Sequence, residues 1–469
     1  MTKVVIIGGG PGGYEAALVG SQLGGEVSLI ERDGLGGAAV LTDCVPSKTL
    51  IATAEVMSTM RQASGLGLHF AGDDDFQSAI QVDLAELNGR VRELATAQSK
   101  DILSRLQREG VTLMKGSARL DGPNRVVADT ADGGERILEA DIVLLATGTT
   151  PRELPEAPCD GVRVLNWKQL YDLEELPERL IVVGSGVTGA EFASAYDALG
   201  VDVVLVSSRT QVLPGEDQDA ANVLQRAFKD RGMEIMSESR AQAARTEGDG
   251  VLVTLTDGSV VRGSHCLMAV GAIPNTAGIG LEEAGVQLTP SGHVQVDRVS
   301  RTSVRSIYAA GDVTGVFALA SVAAMQGRIA MWHALGDAVS PLDLREVSSN
   351  VFTSPEIATV GVTQAQVDAG EMRVASVLLP LGGNARAKMQ GFTDGFVKLF
   401  CLPTTGIIVG GVVVAPYASE LIHAVSIAVG QRIDVDKFSA SFTVYPSMSG
   451  SLAEAARRLH HHTPEVLTS

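Results

Sequence analysis

Residues 3–31 read KVVIIGGGPGGYEAALVGSQLGGEVSLIE, and the reading of this stretch decides the fold. Lys3 to Ile7 is a β-branched run of the kind that forms a buried strand. A glycine turn follows, then an alanine-rich helix, a second strand from Val27 to Ile30, and Glu31 with Arg32 behind it. Gly8, Gly10 and Gly13 permit a tight turn, and with Pro11 and Gly12 they let backbone N–H groups and a helix N-terminus approach a pyrophosphate. Glu31 is placed to accept hydrogen bonds from both hydroxyls of an adenosine ribose. A glycine motif alone is weak, but here strand, helix, second strand and acid all fall in place. The unit is read as a dinucleotide-binding βαβ element.

The same unit recurs from Leu180. Laid on the first without a gap, Gly8, Gly10 and Gly13 fall on Gly184, Gly186 and Gly189, with Val187 and Thr188 opening the helix. Gly24, which ends the first helix, falls on Gly200, and Glu31 falls on Ser207. The second site thus lacks the ribose acid and has Ser207, Ser208 and Arg209 instead. A carboxylate repels a 2′-phosphate, whereas hydroxyls and an arginine bind one, so NADPH is expected there over NADH. The plainer reading, an Arg209 that only points to solvent, stays open.

Bulk properties set the frame. A chain of 469 residues exceeds one core, and about two to four domains are expected. A formal charge of −18 argues against nucleic acid or an anionic membrane as partner. Met1 runs straight into a strand and no apolar run reaches the length of a membrane span, so a cytoplasmic protein without a signal peptide is expected. Cys44, Cys159, Cys266 and Cys401 form no paired or zinc-ligand spacing, and free thiols are expected with no metal site. His460, His461 and His462 are read as a solvated tail.

Residues 36–48, GGAAVLTDCVPSK, carry the chemistry. Pro46 suits the first turn of a helix running to about Met57, with Cys44 and Lys48 on one face. The segment resembles the active-site segment of the flavoprotein disulfide reductases, which carry two cysteines here; Ala39 stands where the first belongs. The resemblance covers almost the whole chain. It implies an α/β fold with two Rossmann-like domains, one for FAD and one for NAD(P), and a C-terminal α+β dimerisation domain. The expected divisions are 1–150 and 276–346 for the FAD and central part, 151–275 for the NAD(P)H part, and 347–469 for dimerisation.

Further residues take roles from the same resemblance. Ala146-Thr147-Gly148 mark the exit from the flavin domain, and Gly271 opens a turn ending in Pro274-Asn275. Gly311-Asp312 match the second flavin signature, with Asp312 on the ribityl chain. Leu319, Ala320 and Ser321 start a helix whose N-terminal amides face the flavin's pyrimidine oxygen. Glu191 is implied to pair with Lys48 where nicotinamide meets flavin. Asn384 to Lys388, Thr393 to Lys398 and Ser419 to Ile422 resemble the dimer domain. That domain normally lends a His-Glu dyad to its partner; here Tyr445 and Gly450 hold those positions. Nucleophile, base and orienter are absent together, so dithiol chemistry is not expected.

What remains implied is an NAD(P)H:quinone reductase in which Lys48 and Glu191 organise hydride transfer to FAD and a quinone takes the electrons. Tyr445 from a partner chain either hydrogen-bonds the quinone or packs the interface. Three alternatives stay open: a pyridine nucleotide transhydrogenase, a peroxide or oxygen reductase using a Cys44 thiolate, and a silent flavin-bearing subunit.

Overall fold

The computed structural model describes residues 1–69, 80–392 and 394–460. Thr393 of the dimer-domain motif, and His461 and His462, lie outside the described residues.

The first βαβ unit forms as read. Strand Lys3–Ile7 pairs in parallel with Glu26–Glu31 on one side and Ile142–Leu145 on the other. Ile307–Ala309 adds in parallel beyond Ile142–Leu145, so the chain returns to this sheet after the second nucleotide unit. Thr112–Leu120 pairs in parallel with Glu26–Glu31, then turns antiparallel with Arg125–Thr130 and Glu135–Glu139. Near-continuous apolar strands such as Val4 to Ile7 are covered on both faces, as a parallel sheet requires. Helices Pro11–Gln22 and Ala320–Ala334 cross closely on it. A Cβ on Gly327 would lie 2.1 Å from the Gly12 carbonyl oxygen, so only glycine admits that crossing.

The second unit builds its own parallel sheet in the order Glu234–Met236, Asp202–Val206, Arg179–Val183, His265–Met268, Val164–Leu165. A small antiparallel sheet, Ala241–Glu247 to Val260–Gly263, packs beside it. The strands Thr149–Pro151 and Ala272–Pro274 pair antiparallel, and they join the two units where the chain crosses out and back.

From residue 348 an antiparallel sheet runs in the order Ser348–Val351, Glu356–Gly361, Ile408–Ala415, Phe396–Cys401, Ala375–Pro380. It carries helices Ala418–Gly430 and Gly450–His460. An ion cluster ties it to the second unit: the buried Lys398 Nζ lies 2.8 Å from the buried Asp217 carboxylate and 2.7 Å from the exposed Asp219. Breaking such a pair by removing one partner costs about 3–5 kcal/mol, which makes it a fixed joint.

The helix from Cys44 runs to Arg61, a turn past the expected Met57. No breaker stands between them, and buried Ala54 and Met57 share a core with Leu84, Leu87 and Val91 of helix Leu84–Arg108. Gly37–Leu41 forms a short helix that the glycine-rich sequence concealed.

Candidate active site

The two glycine loops set the geometry. At Gly8 φ is +104°, and a Cβ would lie 2.2 Å from the Ala146 carbonyl oxygen. At Gly13 a Cβ would lie 1.9 Å from the Gly8 oxygen. No side chain caps helix Pro11–Gln22 at Gly10; Gly13 and Tyr14 N–H donate to the Gly10 carbonyl, and the Gly12 N–H at the helix start is left for a ligand. Glu31 closes the far end: it accepts from Gly9 N–H at 2.6 Å and from Asp33 and Gly34 N–H at 2.6 and 3.2 Å. Beside its strand lies a pocket of about 300 Å³ lined by Leu113, Met114, Lys115, Thr130 and Arg136. Arg32 is exposed and turned toward Asp33 at 3.1 Å rather than toward the loop.

Segment 36–48 docks directly on this loop. Gly36 N–H donates to the Gly9 carbonyl at 2.8 Å, and a Cβ on Gly37 would meet the Gly10 backbone at 2.8 Å. Ala146, Thr147 and Gly148 follow the central strand, where Thr147 and Asn275 exchange hydrogen bonds of 2.9 and 2.8 Å. Gly311 N–H donates to the buried Gln326 at 2.9 Å and presents Asp312, whose carboxylate accepts from Thr149 at 3.4 Å. Burial, and then the neighbouring Asp43, hold Asp312 above the usual carboxylate range. Leu319 precedes helix Ala320–Ala334 without capping it, and Ser321 is exposed.

Lys48 and Glu191 are paired at 2.8 Å. The other Glu191 oxygen accepts from Phe352 N–H at 2.9 Å, and the Lys48 ammonium lies 5.0 Å from the Phe352 ring centroid. Burial works against the Lys48 charge, but Glu191 outweighs it and the pKa is raised. Three separate regions, the residue 44–61 helix, the second unit and the C-terminal sheet, meet on one carboxylate. Phe352 was not legible as a site residue: it acts through its backbone N–H, which any residue carries.

A Cys44 thiolate belonged to one of the open alternatives, the peroxide or oxygen reductase. Burial pushes the Cys44 pKa up to about 11, and Asp43 adds to this while Lys48 opposes it. All four cysteines are free.

The second loop repeats the first. Gly184 has φ +110°, with a Cβ position 2.2 Å from the Ala269 oxygen; Gly189 would meet the Gly184 oxygen at 1.9 Å. Gly186 stands uncapped before Val187 and Thr188, and Gly271, at φ +94°, follows the neighbouring strand. Ser207 is 0% exposed. Its hydroxyl bonds Ser185 at 2.7 Å and donates to the Arg209 carbonyl at 3.1 Å. The Ser207 hydroxyl, expected to meet a phosphate, is thus turned inward, whereas Ser208 and Arg209 are exposed. Tyr445 is 86% exposed, beside Phe442 and Val444, and Gly450 opens the last helix.

Two uncapped dinucleotide cradles meeting at one lysine–glutamate pair define a class of pyridine nucleotide-dependent oxidoreductase, and comparison with known proteins bears this out. Residues 2–327 match the pyridine nucleotide-disulphide oxidoreductase family and residues 347–456 its dimerisation domain, so the chain belongs to that family. Such proteins use FAD and NAD(P)H, and the two loops and Glu31 fit those groups. The chain is 53% identical to an NAD(P)H dehydrogenase (quinone) of Mycobacterium tuberculosis, over 98% of this chain and 94% of that one. It is 33% identical to a dihydrolipoyl dehydrogenase of Zymomonas mobilis, over 96% of each. The crystal structure of LpdA from Mycobacterium tuberculosis superposes with a TM-score of 0.93 at 52% identity, covering 98% of this chain and 100% of that one. Among the described residues no helix is long and apolar enough to cross a membrane, and none group as a metal site.

Proposed function

We propose that this chain is an FAD-dependent NAD(P)H:quinone oxidoreductase, acting as a cytoplasmic homodimer with NADPH preferred. The observation that carries the reading is the conjunction at residues 39–48 and 191: the Lys48–Glu191 pair is assembled, while Cys44 is a free thiol and Ala39 stands where a second cysteine would. The M. tuberculosis relative, named a quinone dehydrogenase, supports the same acceptor.

When bound, FAD supplies two-electron transfer between the nicotinamide and the acceptor. The chain's own residues arrange it. The uncapped N-termini at Gly10 and Gly186 receive the pyrophosphates. Glu31 takes the adenosine ribose of one nucleotide, and Ser208 with Arg209 take the 2′-phosphate of the other. Glu191, pinned by Phe352 N–H, fixes the Lys48 ammonium, which favours negative charge as it develops nearby. Cys44 keeps its proton at neutral pH, which weighs against a thiolate peroxidase. The exposed apolar group Phe442, Val444 and Tyr445 closes the acceptor side of the partner's site in the dimer.

Anaerobic addition of NADPH, and separately NADH, to the yellow protein tests this. Bleaching by NADPH, recovery of colour with a benzoquinone and none with lipoamide are expected. Turnover of lipoamide would overturn the reading.

A further inference from the structure

The Lys48–Glu191 pair is held from a third direction. Glu191, Ser194 and Asp197 stand three apart on helix Val187–Ala198 and share one face of it. Helix Cys44–Arg61 packs along that helix, with Lys48 at 2.8 Å from Glu191 and Arg61 donating to the Asp197 carbonyl at 3.1 Å. Residues 352–354, between strands Ser348–Val351 and Glu356–Gly361 of the C-terminal sheet, lie on it as well. Phe352 N–H donates to Glu191 at 2.9 Å, Ser354 N–H donates to the Ser194 hydroxyl at 3.1 Å, and Arg231 donates to the Ser354 carbonyl. These anchors fix the turn on the helix.

Residue 352 supplies more than its N–H. The Lys48 ammonium lies over the Phe352 ring, 5.0 Å from its centroid, within the range at which an aromatic face attracts a cation. An ammonium is a point charge on a flexible alkyl stem, so one carboxylate orients it weakly. Here it has two holds, and residue 352 sets both: the N–H orients the carboxylate and the ring faces the cation. The void beside the ring, bordered by Ile51, Ala54, Ser194 and Ala195, is about 10 Å³, room for one water at most, so the ring has little space to turn away.

We propose that Phe352 is a positioning residue for flavin reduction: its ring, carried by the dimerisation domain, holds the Lys48 ammonium in place for hydride transfer while its N–H holds Glu191. The inference rests on the reading of Lys48 and Glu191 as the pair that organises that transfer. The dimerisation domain then does more than join two chains. It sets the position of a charge in the site of its own chain, through a ring whose removal leaves every backbone anchor of the turn intact.

The test is a double-mutant cycle on the flavoprotein: wild type, Phe352→Leu, Lys48→Met and the two together. Leucine removes the ring and keeps the N–H to Glu191, and Phe352→Met serves as a second aliphatic variant. Two quantities are read: the limiting rate of anaerobic bleaching at saturating NADPH, and the midpoint potential of the bound flavin, an equilibrium property independent of turnover. Each ring variant is expected to slow bleaching about tenfold, with the NADPH concentration for half-maximal rate unchanged within about twofold. Each should also make flavin reduction about threefold less favourable, a fall of about 14 mV for a two-electron couple. In the Lys48→Met background the ring variant should change neither quantity by more than about 1.5-fold, because the cation on which the ring acts is gone. Losses that add in the double variant, or ring variants that match wild type in rate and potential, overturn the role of Phe352. Lys48→Met that bleaches as fast as wild type overturns the reading of the pair and this inference with it.

Discussion

The two glycine loops are near copies in backbone and differ in their side chains, most of all in the one that braces the turn. Gly8 and Gly184 sit at φ +104° and +110°, and a Cβ on either would lie 2.2 Å from the carbonyl oxygen of Ala146 or Ala269. Gly13 and Gly189 would both carry a Cβ 1.9 Å from the first glycine's oxygen. At the second strand's end the likeness stops. Glu31 holds the first loop by accepting from Gly9 N–H; Ser207 holds the second through the hydroxyl of Ser185, which occupies the place of Gly9. A charged brace has become a neutral one of shorter reach. What the repeat preserves is the steric demand of the turn, and what it varies is the charge offered to a ribose.

The largest expected effect breaks the two copies separately. Gly13→Ala and Gly189→Ala introduce the same clash, so each should abolish its own loop. Gly13→Ala is expected to yield protein without flavin absorbance, whereas Gly189→Ala stays yellow and is not bleached by NADPH. Equal loss of colour in both would show that the loops are not separate sites. Next in size is Lys48→Met, which should slow NADPH bleaching about 10²-fold, read by stopped flow. It should also lower the melting temperature, because Glu191 is left buried and uncompensated. The sign with pH follows from the raised Lys48 pKa. Its stabilisation is complete below the unfolded lysine value of about 10.4 and fades as pH rises through the higher folded value. The melting difference should therefore be flat through neutrality and shrink above about pH 10.4.

A smaller effect sharpens the contrast at the ribose. Ser207→Glu restores the charge of the first copy to the second, and Arg209→Ala removes the cation. Each is expected to lower the ratio of NADPH to NADH bleaching rates by about tenfold. Ratios unchanged in both would place the ribose elsewhere.

These differences show which features the sequence could express. Glycine positions and the helix entries follow from residue types at fixed spacing, the Lys48–Glu191 partnership was implied by the family resemblance, and the structure assembles them. Phe352 N–H on Glu191 and the Lys398–Asp217 joint join residues 161 and 181 positions apart, and local periodicity does not encode that meeting. Ser207 was misread for a related reason. Its residue type allows a phosphate contact, but its burial, set by Ser185 across the loop, directs the hydroxyl inward. Against the alternative of a Cys44 thiolate stands desolvation, which outweighs a lysine one turn away.

Cys44 gives the smallest expected change, and it separates the flavin from the thiol as the reacting group. With a pKa of about 11, only about one thiol in 10⁴ is ionised at pH 7. Cys44→Ser should therefore leave quinone turnover within about twofold of wild type. In the native protein, alkylation of Cys44 by iodoacetamide should be slow at pH 7 and rise about tenfold per unit toward pH 10, the slope of a thiol that is still titrating. A plateau reached below pH 8 would mean that Lys48 prevails over burial at this thiol. The vacant place opposite Ala39 would then have left a reactive cysteine behind.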